Sequence, residues 1–211
     1  MRVVVLSGPD GSGKSTLISE AVRVLRDRNH NVGCYWIRWG RFLSIPLLVC
    51  ARATETIARG RFNARDPTIT LFDKLPPIAF VFLVLQYLDM RLSLAVTKAR
   101  AAVLGVNVLL IDRFIPDMLV DIAVLTPGQD LLRHAVSSRI IDYLFRHTTP
   151  FVLDAPLDIL RARRKDLAED PDLEARTKLY RVLTAAYGLR VLDATRPLDQ
   201  LTAALTQAVE S

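Results

Sequence analysis

Gly8-Pro9-Asp10-Gly11-Ser12-Gly13-Lys14-Ser15 decides the fold. It fits GxxxxGK[ST] at every fixed position. Before it, Arg2 to Leu6 is a short β-branched run suited to a buried parallel strand. After it, Leu17, Ile18, Ala21, Val24 and Leu25 recur at helical spacing from Ser15 to Arg28, and Asn29-His30-Asn31 ends the helix. A glycine turn between strand and helix lets backbone N–H groups converge on an anion, and the helix adds its positive end. In this reading Gly8, Asp10, Gly11, Ser12, Gly13, Lys14, Ser15 and Thr16 surround a nucleotide polyphosphate. Lys14 reaches the β- and γ-phosphates, and the Ser15 hydroxyl ligates magnesium. The cofactors expected are ATP and Mg2+.

Working outward, strands and helices alternate. Val32 to Arg38, Val106 to Ile111, Phe151 to Asp154 and Leu189 to Leu192 read as strands. Phe42 to Arg59, Ile78 to Leu104, Ile122 to Leu125, Leu131 to Arg146, Leu157 to Lys165, Leu173 to Tyr187 and Pro197 to Val209 read as helices, and Asn63 to Pro67 as a loop. This alternation predicts an α/β fold with a parallel sheet covered on both faces. The 211 residues contain no linker rich in Gly, Ser or Pro, so a single domain, 1–211, is expected.

Hydrophobic residues make up 51 %, enough for one core, and the formal net charge of +6 suits an anionic partner. Cys34 and Cys50 form no CxxC pair, which points away from a metal or disulfide framework and toward two buried thiols in a reducing, cytoplasmic setting. The first residues run directly into the first strand, unlike a signal peptide. Leu75 to Leu88, LPPIAFVFLVLQYL, falls short of the ~20 apolar residues of a spanning helix. It reads as a core or dimer helix, so a homodimer burying Phe80, Phe82, Leu83 and Tyr87 is expected, without a membrane surface or a nucleic acid polymer as partner.

Two further clusters carry chemistry. Val108-Leu109-Leu110-Ile111-Asp112-Arg113 is an apolar strand that delivers a carboxylate to the sheet edge. Asp112 there can hold magnesium, and Arg113 can neutralise a phosphate. Arg161-Ala162-Arg163-Arg164-Lys165 places four cations within five residues, a density that calls for solvent or an anion. As a lid over roughly 161–176, it would close Arg161, Arg163 and Arg164 on a transferring phosphoryl group.

GPDGSGKST, IDRF, LDAPLDILRARRK and LDATRP, in this order, resemble the thymidylate kinase family of P-loop nucleoside monophosphate kinases. The resemblance touches nearly the whole chain. It implies a three-layer P-loop kinase fold with a five-stranded parallel sheet, an arginine-rich lid, a homodimer, and ATP with magnesium as cofactors. It also implies catalytic roles for Lys14, Arg113, Arg161, Arg163 and Arg164. Asp10, Arg91 and Arg113 would meet the acceptor nucleotide, and Asp193, Ala194 and Thr195, with Arg163, the ATP side.

The acceptor side departs from the family pattern. Arg38-Trp39-Gly40-Arg41 stands where the family has an Arg-Glu-Pro-Gly turn. Asp117 and Asp121 stand where the family has neutral groups that read the base. Six arginines lie between Arg38 and Arg65, with Trp36 and Trp39 at the start. Arg38 and Trp39 are therefore candidate acceptor residues, and the tryptophans either stack on a base or simply pack. A phosphotransferase with a nucleoside monophosphate acceptor, and with little preference for thymidylate, is expected. Two alternatives stay open. One is a kinase of a sugar, alcohol or lipid head group with Asp10, Asp117 or Asp121 as base. The other is a nucleotide-dependent switch.

Overall fold

A computed structural model describes residues 1–37, 43, 76–126, 130–164, 170 and 172–210. Among these residues the chain is α/β, with five parallel strands and seven α-helices. The strands are β1 (Arg2–Ser7), β2 (Val32–Trp36), β3 (Val108–Asp112), β4 (Thr149–Asp154) and β5 (Arg190–Asp193). The helices are α1 (Lys14–Asp27), α2 (Pro76–Val103), α3 (Ile115–Leu125), α4 (Ala135–His147), α5 (Leu157–Arg163), α6 (Leu173–Tyr187) and α7 (Leu198–Glu210). A 3-10 turn, Leu131–Arg133, precedes α4.

The strand order is β2-β3-β1-β4-β5. From β1 the chain moves toward β2, whereas from β4 it moves toward β5. The connections therefore diverge at the carboxyl ends of β1 and β4, where open α/β sheets have a crevice. Register brings Leu6 beside Asp112, Asp112 beside Trp36, and Asp154 beside Asp193 at that edge.

Successive side chains of a strand point to opposite faces, and the central strands are apolar on both. Val3, Val5, Leu109, Ile111 and Val152 enter one buried cluster with residues of α2, α3, α4 and α6. Val4, Leu6, Val108, Leu110, Phe151 and Leu153 enter a second cluster with α1 and α7. Helices thus cover both faces, as the alternation predicts.

Several boundaries differ from the sequence reading. Helix α3 begins at Ile115 and includes Pro116 in its first turn, where the missing N–H costs no helical bond. Its first half, which lies ahead of the helix read from Ile122, is buried. Cys34 is exposed on the edge strand β2, contrary to the expectation of a buried thiol, because no strand pairs beyond it among the described residues. Cys50, the helix at 42–59 and the loop at 63–67 lie outside the described residues.

Helix α2 is one continuous helix of 28 residues, well beyond the apolar stretch that ends at Leu88. By length and composition alone it could cross a membrane over Ala79–Val103. Ala79, Phe82, Leu83, Met90, Leu94 and Ala101 are at most 1 % exposed and belong to the chain's own core. That overturns Phe82 and Leu83 as dimer residues. Among the residues left exposed or half-buried, which also include Phe80, Arg91, Val96 and Lys98, runs one apolar stripe, Val81, Leu85, Leu88, Leu92, Ala95, Ala99 and Ala102. These positions alternate four and three residues apart, which is a heptad seam.

Candidate functional site around the glycine turn

The glycine turn leaves the carboxyl end of β1 and packs tightly against two other elements. Gly8 has φ 139, and a Cβ there would lie 2.4 Å from the Leu153 carbonyl oxygen of β4. Gly11 has φ 83, and a Cβ there would lie 2.9 Å from the Leu160 carbonyl oxygen of α5. Only glycine fits both the left-handed backbone and the close approach. The turn borders a cavity of about 640 Å3, lined from Asp10 to Leu17 and by Asp112, Arg113, Arg163, Arg164 and Ala194 among others.

Lys14 opens α1 and is 6 % exposed. Its ammonium donates to the carbonyls of Gly8 (2.8 Å) and Pro9 (2.7 Å) and weakly to the Ser12 hydroxyl (3.4 Å). Burial, followed by the Arg113 charge, lowers its pKa to about 8. This cation is curled back on its own turn, beside the cavity, in an environment that disfavours its charge.

The Ser15 hydroxyl donates to Asp112 Oδ2 at 3.1 Å. Asp112 Oδ1 is buried and accepts no hydrogen bond. Burial raises the Asp112 carboxyl above its ordinary range. A hydroxyl beside an under-satisfied carboxylate oxygen is an all-oxygen donor set of the kind Mg2+ takes. Among the described residues no three His, Cys, Asp or Glu side chains group as a metal cage. The pair therefore suits an ion that completes its shell from phosphate and water.

Arg113 follows β3 with φ 67, a left-handed conformation uncommon for arginine. Its N–H donates to the Leu6 carbonyl at 2.9 Å, tying the kink to β1. Its guanidinium bonds to Asp10 on the cavity side and to Asp117 Oδ1 (3.2 Å) on the buried side. The structure thus brings together Asp10, Lys14, Ser15, Asp112 and Arg113, which lie in two motifs about a hundred residues apart.

Arg163, in the last turn of α5, donates from Nη1 to the Ser12 carbonyl (3.4 Å) and from Nη2 to the Ala194 carbonyl (2.8 Å). It bridges the glycine turn and the loop after β5. Arg164 also lines the cavity, whereas Arg161 is exposed and does not. Of the three residues expected near the last strand, Ala194 lines the cavity. Asp193 instead accepts from the N–H (3.0 Å) and hydroxyl (2.7 Å) of Thr195, shaping the loop. Residues 165–169 and 171 of the expected lid lie outside the described residues.

Arg196, Leu198 and Leu201 also line the cavity and went unread in the sequence. The LDATRP motif held Arg196 in plain view, three residues after the strand. Trp36 lines the cavity with 56 % exposure, beside Asp112 across the sheet, which is not the environment of a packing residue. Arg91 is not among the lining residues and sits over the rings of Tyr143 (5.0 Å) and Tyr87 (5.7 Å). Arg38 and Trp39 lie outside the described residues.

A scan against protein-family models finds no family that matches this chain, and a search of curated proteins finds no match.

Proposed function

We propose that this chain is an ATP- and magnesium-dependent phosphotransferase with a P-loop kinase fold similar to thymidylate kinase, acting on a nucleoside monophosphate. One observation carries the proposal: Lys14, the Ser15–Asp112 pair, Arg113 and Arg163 all border one cavity at the carboxyl edge of a parallel sheet. The chemistry is attack by an acceptor oxygen on the γ-phosphorus, with cleavage of its bond to the β–γ bridging oxygen and departure of ADP. Lys14 would exchange its two carbonyl partners for β- and γ-oxygens. Ser15 and Asp112 would hold magnesium, which would offset the charge of the phosphate oxygens. Arg163 and Arg164 would face the charge that spreads over the transferring group. Arg113 would exchange Asp10 for the acceptor phosphate. Catalysis of this kind is positioning and charge stabilisation, and a phosphate acceptor needs no base.

The test is ATP consumption with each of the common monophosphates, with Lys14→Ala as control. Consumption that Lys14→Ala leaves intact would sink the proposal. The kinase of a hydroxyl acceptor is the second reading, supported by the position of Asp10 on the cavity wall. Asp117 is fully buried and bonded on both oxygens, and Asp121, 6 % exposed, is not among the residues that line the cavity, so neither suits the role of base. Asp10 remains, and Asp10→Asn would abolish transfer to a sugar or alcohol while sparing a phosphate acceptor.

A homodimer forms part of the same proposal, on the heptad seam of α2. The seam runs from Val81 to Ala102 without a charged residue, about 32 Å at 1.5 Å per residue. Three heptads of self-complementary apolar side chains suit a second copy of the same helix. Leu88→Glu with Leu92→Glu should convert a dimer to a monomer in light scattering. A wild-type monomer at micromolar concentration would exclude the interface.

A further inference from the structure

We propose, building on Arg113 as ligand of the acceptor phosphate, that Asp117 and Tyr180 are its positioning residues and set the aim of its guanidinium into the cavity. Two carboxylates bracket that guanidinium unequally. Asp10 is at the cavity wall with a side chain 25 % exposed, whereas the Asp117 side chain is 0 % exposed. An anion entering from the cavity competes with Asp10 and leaves Asp117 in place.

Asp117 is itself held at both oxygens. Oδ2 accepts from the Phe114 N–H at 3.1 Å, and Oδ1 accepts from the Tyr180 hydroxyl at 2.7 Å as well as from Arg113. A carboxylate with donors on both oxygens cannot swing about its terminal bond without breaking one of them. Tyr180 is 3 % exposed, and burial, reinforced by Asp117, pushes its phenol well above the usual tyrosine range. It therefore stays protonated, and a donor, at any working pH.

Capping α3 accounts for the Asp117 bond to Phe114, but that cap does not require a hydroxyl from α6. One turn along both helices, Asp121 and Arg176 meet at 3.8 Å. The α3–α6 contact is thus stitched twice by polar groups. Helix α6 starts at Leu173, nine residues after Arg164 at the cationic end of α5. Tyr180 therefore links the helix next to the proposed lid to the arginine of the proposed acceptor site.

The experiment compares wild type, Tyr180→Phe, Arg113→Ala and the double variant. Each is assayed with ATP–magnesium and with thymidylate, deoxycytidylate and deoxyadenylate as acceptor probes. Loss of one hydrogen bond to a charged group should raise KM for the best acceptor about tenfold in Tyr180→Phe. KM for ATP should stay unchanged, and in the Arg113→Ala background Tyr180→Phe should add nothing. An equal Tyr180→Phe effect with and without Arg113 would overturn the positioning role while leaving the acceptor site intact. An Arg113→Ala variant with unchanged acceptor KM and normal melting would overturn the acceptor site itself, and the positioning role with it. Side-chain 15N spectra give a readout independent of turnover. The Arg113 guanidinium, assigned by its loss in Arg113→Ala, should rotate slowly in wild type and faster in Tyr180→Phe. Unchanged rotation in Tyr180→Phe would overturn the role even if none of the three probes is consumed.

Discussion

The two edges of the sheet both gather cations, yet they are built differently. At the carboxyl edge, Lys14 is 6 % exposed and the Arg113 side chain 11 % exposed, beside a turn with left-handed glycines. At the amino edge, Arg2, Arg146, His147 and Arg190 line a cavity of about 410 Å3, and all four are exposed. There Arg2 bonds to the Val209 carbonyl near the end of α7, Arg146 and His147 close the last turn of α4, and Arg190 lies 5.7 Å from the Phe151 ring centroid. Arg2, Arg146 and His147 sit at helix C-terminal ends and Arg190 against a ring, local roles that an anion would disturb. What separates a candidate site from a basic surface is desolvated charge combined with backbone shaped to receive an anion. The number of arginines does not separate them.

The sharpest way to break this comparison is to remove one cation from each edge. Lys14→Met should weaken ATP–magnesium binding at least a hundredfold, roughly 2.7 kcal/mol, by calorimetry. Arg146→Ala should leave binding unchanged. Equal losses from both would show that overall charge, and not the site, attracts the nucleotide.

Lys14→Met should also stabilise the fold. The Lys14 pKa falls from 10.5 to about 8 on burial. Carrying the charge at neutral pH therefore costs about 3 kcal/mol, at ~1.4 kcal/mol per unit. Because the unfolded chain holds this proton up to its higher pKa, the contribution to stability rises with pH between about 8 and 10.5. Denaturant titration of Lys14→Met should show higher stability at pH 7 and a flatter profile above pH 8. Lower stability at pH 7 would mean that the two carbonyl bonds outweigh the burial.

Gly8→Ala should cost about 2–3 kcal/mol from its left-handed backbone, and more if the Leu153 carbonyl cannot yield. Gly188→Ala, φ 64 with nothing within 4 Å of its Cβ, gives a positive-φ backbone cost without any contact and a lower bound for Gly8. Equal losses of melting temperature at both positions would show that the contact with β4 is unimportant.

The smallest effect is a pH dependence. Phosphate favours the charged form of Lys14, so binding above pH 8 takes up a proton. ATP affinity should be flat from pH 7 to 8 and then fall, by at most about tenfold per unit. Lys14→Met should lose that slope, and a wild-type profile still flat at pH 9.5 would contradict the burial of Lys14.

The comparison also explains what was legible in the sequence. The glycine turn could be read because its determinants are contiguous, from Gly8 to Ser15. Asp112 could be read because a strand end is a local signal. Asp117 was picked out, but as a candidate base, since the hydroxyl that completes its surroundings lies 63 residues away on another helix. Helix α2 was legible as a helix but not in its phase. Its apolar residues surround it, so only packing against β1, β3 and α3 decides that Phe82 goes inward and Val81 outward. Arg91 shows the same limit: the family resemblance pointed to it as an acceptor residue, while two tyrosines determine what it touches.

The buried Lys14 also bears on how long the protein lasts in a cell. A ligand that binds only the folded chain stabilises it by about 2.7 kcal/mol at a hundredfold excess over its dissociation constant. Under the proposed function, a bound polyphosphate would also relieve the cost of the buried Lys14 charge. Molecules without a polyphosphate should open more often and be degraded sooner. If the proposed nucleotide binds there, the amount of this protein would follow its supply.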